Sequence, residues 1–135
     1  MARNEVGGSH PLIETNELVP SSSVPFHQDH PAITRRAPAA FPLHVAVHEV
    51  SDAVESDARC AERHSHTVAE VDLLIAPPGA LVYRIELDGV EREVSSPASI
   101  WIPAGVVHAA NVVRGSGTFV CVVLADTATA FEQKR

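Results

Sequence analysis

Apolar and polar residues alternate along most of the chain after residue 42, with the period of two that is typical of β-strands. Residues 81–87 alternate in this way and are followed by Asp88 and Gly89, a dipeptide that favours a tight hairpin turn. Short strands with turn signals about every 8 to 12 residues indicate an all-β sandwich or barrel. The pattern predicts strands over residues 43–50, 59–66, 70–76, 81–87, 90–94, 99–102, 108–113 and 118–125, the last two forming a hairpin around 114–117.

The first third of the chain differs from the rest in its proline content. Residues 1–42 carry six of the ten prolines, a density that excludes a helix and a central strand. We therefore expect a Pro-rich N-terminal arm over residues 1–42, a β-barrel over 43–126 and a C-terminal tail over 127–135. Apolar residues in the arm favour packing along the barrel or crossing to a second subunit. About the first ten residues could instead form a disordered tail.

Composition and charge exclude several classes of function. At 135 residues the chain is expected to fold as one domain, and its 45% hydrophobic but only 4% aromatic residues suit strands in a small barrel. The formal net charge is −7 and the longest basic run is Arg35 and Arg36, which argues against nucleic-acid binding. No apolar run approaches the roughly 20 residues of a membrane span, and no secretory signal is visible. Cys60 and Cys121 are far apart, which favours a reduced, cytoplasmic chain.

Candidate metal ligands lie in two separated segments. His64 and His66 stand at i and i+2, so in an extended strand both side chains would point to one face and could reach one ion. Glu70 follows four residues later, and His108 follows the turn that Pro103 begins. Neutral imidazoles and a carboxylate suit a divalent ion such as Fe(II), Mn(II), Ni(II), Zn(II) or Cu(II).

These residues read His-x-His-x-x-x-Glu and Pro-x-Gly-x-x-His, and over residues 58–125 the chain resembles the cupins. The resemblance implies a double-stranded β-helix, or jelly-roll barrel, with a divalent metal held by His64, His66, Glu70 and His108. The sequence departs from the family pattern at three places. The glycine expected after the glutamate has no match at its usual spacing, Pro97 replaces the glycine that often opens the second motif, and Asn111 follows the last histidine by three residues instead of four.

Three further residues are candidates for a catalytic role. Asp72 is two residues from Glu70, so it could orient a ligand histidine or act as a base, or it could lie at an exposed strand edge. Arg84 could bind a substrate carboxylate if its face points inward, but an outward charge pattern with Glu86 is favoured. Tyr83, like Trp101, could line a pocket, although interface or core packing is the default.

The remaining histidines and cysteines have simpler explanations. His44 and His48 share a strand face that is expected to be solvated or to form a dimer contact, with the pocket mouth as the alternative. His27 and His30 could be extra ligands only if the arm folds over the barrel mouth. Both cysteines are expected to be small buried residues.

A metal site of this kind in a small barrel supports two kinds of chemistry. One is dioxygenase-type oxidation, and the other is Lewis-acid chemistry of the decarboxylase, lyase or isomerase type. Since cupins host many reactions, the resemblance implies only a metalloenzyme acting on a small organic metabolite. The alternatives are a non-enzymatic module, such as a sensor or a partner subunit of a larger enzyme, and a barrel with a vestigial site. Cupins commonly pair through sheet edges or faces, so we expect a homodimer with the N-terminal arm contributing to the interface.

Overall fold

The computed structural model describes residues 12–131 and consists almost entirely of antiparallel strands. The expected disordered tail of about ten residues lies outside the described part, as do residues 132–135 of the C-terminal tail. A 3-10 turn over Ser21–Ser23 and a short helix α1 over Thr127–Ala130 accompany the strands. The strands are β1 Glu17–Leu18, β2 Ile33–Ala37, β3 His44–Ala53, β4 Glu70–Ile75, β5 Leu81–Leu87, β6 Val90–Ser95, β7 Ala98–Ile102 and β8 His108–Val123.

One long strand, β8, connects the two halves of the barrel. The sheet runs in the order β1-β2-β3-β8-β4-β7, and β5 pairs with β6 and with the first part of β8. The two halves pack across a core in which the Tyr83 ring stacks on the Phe119 ring with centroids 4.3 Å apart. The all-β prediction is therefore confirmed. Leu74, Leu81, Ile85, Ile100, Ile102 and Val112 also belong to this core.

The predicted hairpin around residues 114–117 is wrong, because β8 passes through these residues without a turn. Its first part pairs with β5 as far as Leu81 and Gly115, and its last part pairs with both β3 and β4. Gly115 has a φ of +100°, and a Cβ at this position would lie 2.0 Å from the carbonyl oxygen of Ala80. Glycine is therefore used here for close backbone approach between strands, and not for a turn.

The proline-rich segment contributes strands to the sheet. β2 is hydrogen-bonded to β1 on one side and to β3 on the other, so the expectation that the prolines exclude a central strand is wrong. Pro31 and Pro38 lie just outside β2, which leaves every residue between Ile33 and Ala37 with a backbone N–H for pairing. The arm thus packs along its own barrel.

A strand over residues 59–66 is also not formed. This segment makes only isolated bridges, between His27 and Ala61 and between His64 and His108. The backbones of His64 and His108 exchange two hydrogen bonds, of 3.0 and 2.8 Å, so the two metal-type motifs are fastened together directly.

Candidate metal centre

On β4 the polar side chains point into the barrel and the apolar side chains point away from it. Glu70 and Asp72 point into the barrel and are only 4% and 1% exposed, whereas Val71 and Leu73 on the other face are only partly buried. Apolar residues normally take the buried face of a strand. Burying two carboxyl groups costs free energy that the apolar alternative would not cost, so this strand marks the functional end of the cavity.

The structure brings the four sequence-predicted ligands together. The ligand nitrogens of His64, His66 and His108 lie within 4.8 Å of one another. Glu70 Oε1 is 3.2 Å from His66 Nε2 and 3.1 Å from His108 Nε2. All four side chains are buried. The structure therefore contains a group that could hold one divalent ion.

Backbone carbonyls fix the tautomer of each imidazole. The Nδ1 atoms of His64, His66 and His108 lie 2.7, 2.8 and 2.9 Å from the carbonyl oxygens of the residues that orient them. A carbonyl can only accept a hydrogen bond, so each Nδ1 carries the hydrogen and, in the neutral ring, Nε2 keeps a lone pair. The three carbonyls belong to Glu62, Ala130 and Val106, respectively. Such partners orient metal-binding histidines.

Two of the Nε2 atoms fit an ion better than they fit a hydrogen bond. His66 Nε2 and His108 Nε2 are buried and have no hydrogen-bond partner among the described residues. Glu70 Oε1 lies 3.2 and 3.1 Å from these atoms, so a neutral Nε2 would present its lone pair to a carboxylate oxygen, which is unfavourable without a proton or a cation there. Buried polar atoms of this kind are rare and point to a missing partner. The residues present therefore fit a divalent ion.

The pKa values of the cluster also favour a bound cation. Burial, and then the neighbouring His108, lower the pKa of His64 to about 3, which keeps this imidazole neutral at physiological pH. Burial would raise the pKa of Glu70, but His108 and His66 outweigh burial and hold it below its usual value. Burial would lower the pKa of His108, but the Glu70 carboxylate raises it. Glu70 thus favours positive charge at this position, whether from a proton or from a cation.

Asp72 and Cys121 form a second layer behind Glu70. One polar atom from each of these three residues lies within 4.8 Å of the others, and Cys121 Sγ donates to Glu70 Oε2 at 3.4 Å. Burial and the neighbouring Glu70 raise the pKa of Asp72 well above its usual value, so Asp72 favours its protonated form. Asp72 is therefore not at an exposed strand edge, and it can orient Glu70. Cys121 is a neutral thiol, because burial raises its pKa.

The arm and the C-terminal segment cover the cluster. Phe26 stacks on the His64 ring at 5.3 Å, and His27 contacts the same ring edge-on at 5.1 Å. Phe131 lies 4.9 Å from the His66 ring. The cavity that they close has a volume of about 40 Å³. His27 lines it but is outside the three-nitrogen cluster, whereas His30 does not line it.

His44 and His48 line this cavity, so the expectation of a solvated or dimer face is wrong and the pocket alternative is correct. Burial lowers the pKa of each to about 4. His48 Nδ1 donates to the carbonyl of Phe119 at 3.0 Å. Both imidazoles are therefore neutral at physiological pH.

The other two catalytic candidates lie in different places. Tyr83 lines the cavity, and burial raises its pKa well above the usual value, so the hydroxyl stays protonated. Arg84 is partly exposed, approaches Glu55 at 3.4 Å and does not line the cavity, so it points outward. The expected outward charge pattern with Glu86 is wrong, because Glu86 is buried and pairs with Arg63 at 2.6 Å. Trp101 is 61% exposed.

Sequence reasoning left the role of one contributor to the site, Asn111, open and missed two others. Asn111 Oδ1 accepts hydrogen bonds from the backbone N–H groups of Cys60 and Ala61, which holds the chain that leads to His64. Arg35 lines the cavity from β2, and its place between Ile33 and Ala37 in an alternating segment was a usable signal. The C-terminal segment that supplies Phe131 offered no such signal.

Fold and site together define a small antiparallel β-barrel with convergent imidazoles and a carboxylate inside. No protein-family model and no curated protein matches the chain. Among solved structures, the chain is similar to an RmlC-like cupin from Shewanella frigidimarina, with a TM-score of 0.54 and 12% identity over 83% of this chain and 93% of that one. The chain has the cupin fold.

Two other solved structures are similar to the chain over most of its length. KdgF from Halomonas sp. gives a TM-score of 0.52 and 16% identity over 83% of this chain and 96% of that one. HppE, solved with Fe(II) and the alternative substrate (S)-1-HPP, gives a TM-score of 0.52 and 13% identity over 81% of this chain and 56% of that one. At these identities the similarity concerns the fold. Within residues 12–131, no helix is long and apolar enough to cross a membrane.

Proposed function

We propose that this chain is a divalent-metal-dependent enzyme that acts on a small organic metabolite. The observation that carries the proposal is the convergence of four buried side chains, with the ligand nitrogens of three histidines within 4.8 Å of one another and Glu70 Oε1 at 3.2 and 3.1 Å from two of them. In this proposal His64, His66, Glu70 and His108 hold the ion. The bound ion would supply Lewis acidity to an oxygen of the substrate.

The rest of the cavity favours proton transfer over oxidation. Three imidazoles outside the cluster, those of His27, His44 and His48, line the same cavity. A neutral imidazole in a closed cavity can accept a proton from a substrate and return it. We therefore favour lyase, isomerase or decarboxylase chemistry. Dioxygenase-type chemistry is the second candidate, since a structural neighbour, HppE, was solved with Fe(II).

The first experiment measures the metal. The purified chain is incubated with Fe(II), Mn(II), Ni(II), Zn(II) or Cu(II), desalted, and analysed for each element. We expect about one ion per chain, and loss of that ion in His66→Ala and His108→Ala. His30→Gln is the matched control, because His30 is buried but does not line the cavity. Equal metal content in His108→Ala and the unmodified chain would contradict the proposed ligands.

The second experiment separates the two chemistries. The metal-loaded chain is incubated with a panel of small organic acids, with and without oxygen, and products are measured by NMR. Turnover without oxygen supports Lewis-acid chemistry, and turnover only with oxygen supports the dioxygenase. Metal binding without turnover of any acid in either atmosphere would favour a non-enzymatic binding module.

We also propose that the chain forms a homodimer through the outer face of β4 and β7. Trp101 and Ile75 on this face are 61% and 53% exposed, and β7 ends the path of the sheet. Sequence reasoning places the arm at the interface instead, and Leu12, Ile13 and Leu18 of the arm are also exposed. Light scattering should give a dimer mass for the unmodified chain and for Val54→Glu, and a monomer mass for Trp101→Glu. A monomer in all three would contradict the proposal.

A further inference from the structure

Arg35 is a buried cation inside the barrel. It points inward from β2, next to His48 of β3 in the strand register, and it lines the same cavity as the candidate metal centre. In the sheet, β2 is three steps from β4, the strand that carries Glu70. Only 7% of Arg35 is exposed. The cavity therefore has a guanidinium at one side and the metal-type cluster at another.

The guanidinium has no acidic partner in the part of the chain that the structure describes. Over residues 12–131, no carboxylate lies within 4.0 Å of it. Its hydrogen bond runs from Nη1 to the carbonyl oxygen of Val19 at 3.2 Å. A guanidinium has five N–H donors, so most of them remain available to the cavity. An uncompensated buried charge is destabilising, and an anion in the cavity would compensate it.

The titratable side chains near Arg35 do not supply that anion. An imidazole is neutral or positively charged at physiological pH, so His27, His44 and His48 do not supply it. Arg35 keeps its charge, although burial lowers its pKa. Cys121 is a protonated thiol, as burial raises its pKa. His27 contacts the His64 ring edge-on at 5.1 Å and His44 lines the same cavity, so both rings lie near the candidate metal centre.

We propose that Arg35 binds the carboxylate of a small organic acid whose other end reaches the candidate metal centre. This inference rests on the proposed function and specifies its substrate class. Arginine presents two parallel N–H donors to a carboxylate, which fixes the orientation of the acid. A cavity of about 40 Å³ admits about three water molecules at roughly 10–15 Å³ each. The acid is therefore small, with only a few non-hydrogen atoms.

The test uses glycolate, a two-carbon hydroxy acid, and glycolamide, its uncharged analogue. Binding to the Zn(II)-loaded chain and to the metal-free chain is measured by calorimetry. Arg35→Met removes the charge and keeps much of the volume. Arg36→Met is the matched control, since Arg36 is the next residue of β2 and does not line the cavity. Metal content is measured for each variant, so that loss of the ion and loss of the carboxylate site are read separately.

We expect Arg35→Met to bind glycolate at least tenfold more weakly than the unmodified chain, with unchanged Zn(II) content, and Arg36→Met to stay within twofold. Glycolamide should bind the unmodified chain and Arg35→Met equally. If the chain retains no metal, the proposed function fails, and glycolate binding by the metal-free chain still tests Arg35. If Arg35→Met binds glycolate as tightly as the unmodified chain does, the inference is overturned. Tighter binding of hydroxymethylphosphonate than of glycolate would overturn the carboxylate class.

A direct measurement covers the case in which Arg35→Met does not fold. The Nε–H signal of Arg35 in the unmodified chain is followed by ¹⁵N NMR during titration. Glycolate should shift this signal, and glycolamide should not. An Arg35 signal that stays unchanged at saturating glycolate would overturn the inference without any variant.

Discussion

Gly115→Ala tests the course of β8, the strand that carries His108 at its start and ends beside Glu70 at Val123. The added Cβ would lie 2.0 Å from the carbonyl oxygen of Ala80, where real contacts are at least 3.0 Å, so the two backbones must separate by about 1 Å. In the hairpin that the sequence pattern predicts, residue 115 would lie in an exposed turn. The substitution therefore distinguishes a continuous strand from a turn.

The expected cost combines three effects at this position. The φ of +100° is strained for any residue with a Cβ and costs about 1–2 kcal/mol. Separating the backbones weakens the 2.9 Å hydrogen bond from Ser116 N–H to Ala80 O, at about 1 kcal/mol. Overpacking adds about 1–3 kcal/mol. Gly115→Ala should thus lower the free energy of unfolding by roughly 3–6 kcal/mol, a large part of the 5–15 kcal/mol typical of a domain.

Gly89→Ala is the matched control for this experiment. Gly89 has a φ of +85°, but a Cβ there would have no atom within 4 Å, so only the backbone strain of about 1–2 kcal/mol applies. Both variants are unfolded with urea and followed by circular dichroism, and their midpoints are compared at equal slope. A loss of stability in Gly115→Ala no larger than that in Gly89→Ala would refute the close approach of β8 to Ala80.

Two further predictions concern the side chains that line the cavity. Phe131→Ala should weaken metal binding about tenfold, because Phe131 packs on the His66 ring and the preceding carbonyl orients that ring; unchanged affinity in a chelator competition would contradict this. His48 has a pKa of about 4 in the folded chain and an ordinary value of 6.5, so between these pH values only the unfolded chain binds the proton, and stability falls as the pH decreases. Protonation of the unfolded chain lowers the free energy of unfolding by about 2 kcal/mol at pH 5. Urea unfolding should therefore show a smaller loss of stability between pH 8 and pH 5 for His48→Gln than for the unmodified chain. Parallel pH profiles of the two chains would contradict this prediction.

The sequence was sufficient for the barrel and for the grouping of the candidate ligands. Strand alternation and turn residues predicted the antiparallel architecture, and the spacing of His64, His66 and Glu70 placed three polar groups at one site. The predicted side chains converge even though the segment before His66 is not a strand. The pair of backbone hydrogen bonds between His64 and His108 holds this segment in place. Such a long-range bridge leaves no local periodicity by which it could be predicted.

Side-chain orientation on β3 could not be predicted in this way. The pattern suggests that Val45 and Val47 face the core, because apolar residues usually do. In the structure the opposite face, with His44, Ala46 and His48, lines the cavity. The usual preference is reversed since the interior at this end is a polar site and not a hydrophobic core. Periodicity identifies the two faces of a strand, but it does not say which one is inside.

Polar side chains point inward on three strands of the sheet, and the cost of burying them explains their purpose. β2 buries Arg35, β3 buries His44, and β4 buries Glu70, whereas β5 and β7 contribute apolar side chains to the hydrophobic core. Each buried polar group lowers stability relative to an apolar residue of similar size. A small barrel has little stability to lose, so the polar half of the interior is explained by binding and the apolar half by folding. Conflicts between the local sequence pattern and the fold are expected at functional sites. Replacing an inward polar residue of β2, β3 or β4 with an apolar one should therefore stabilise the fold and remove the binding of the metal or of the acid.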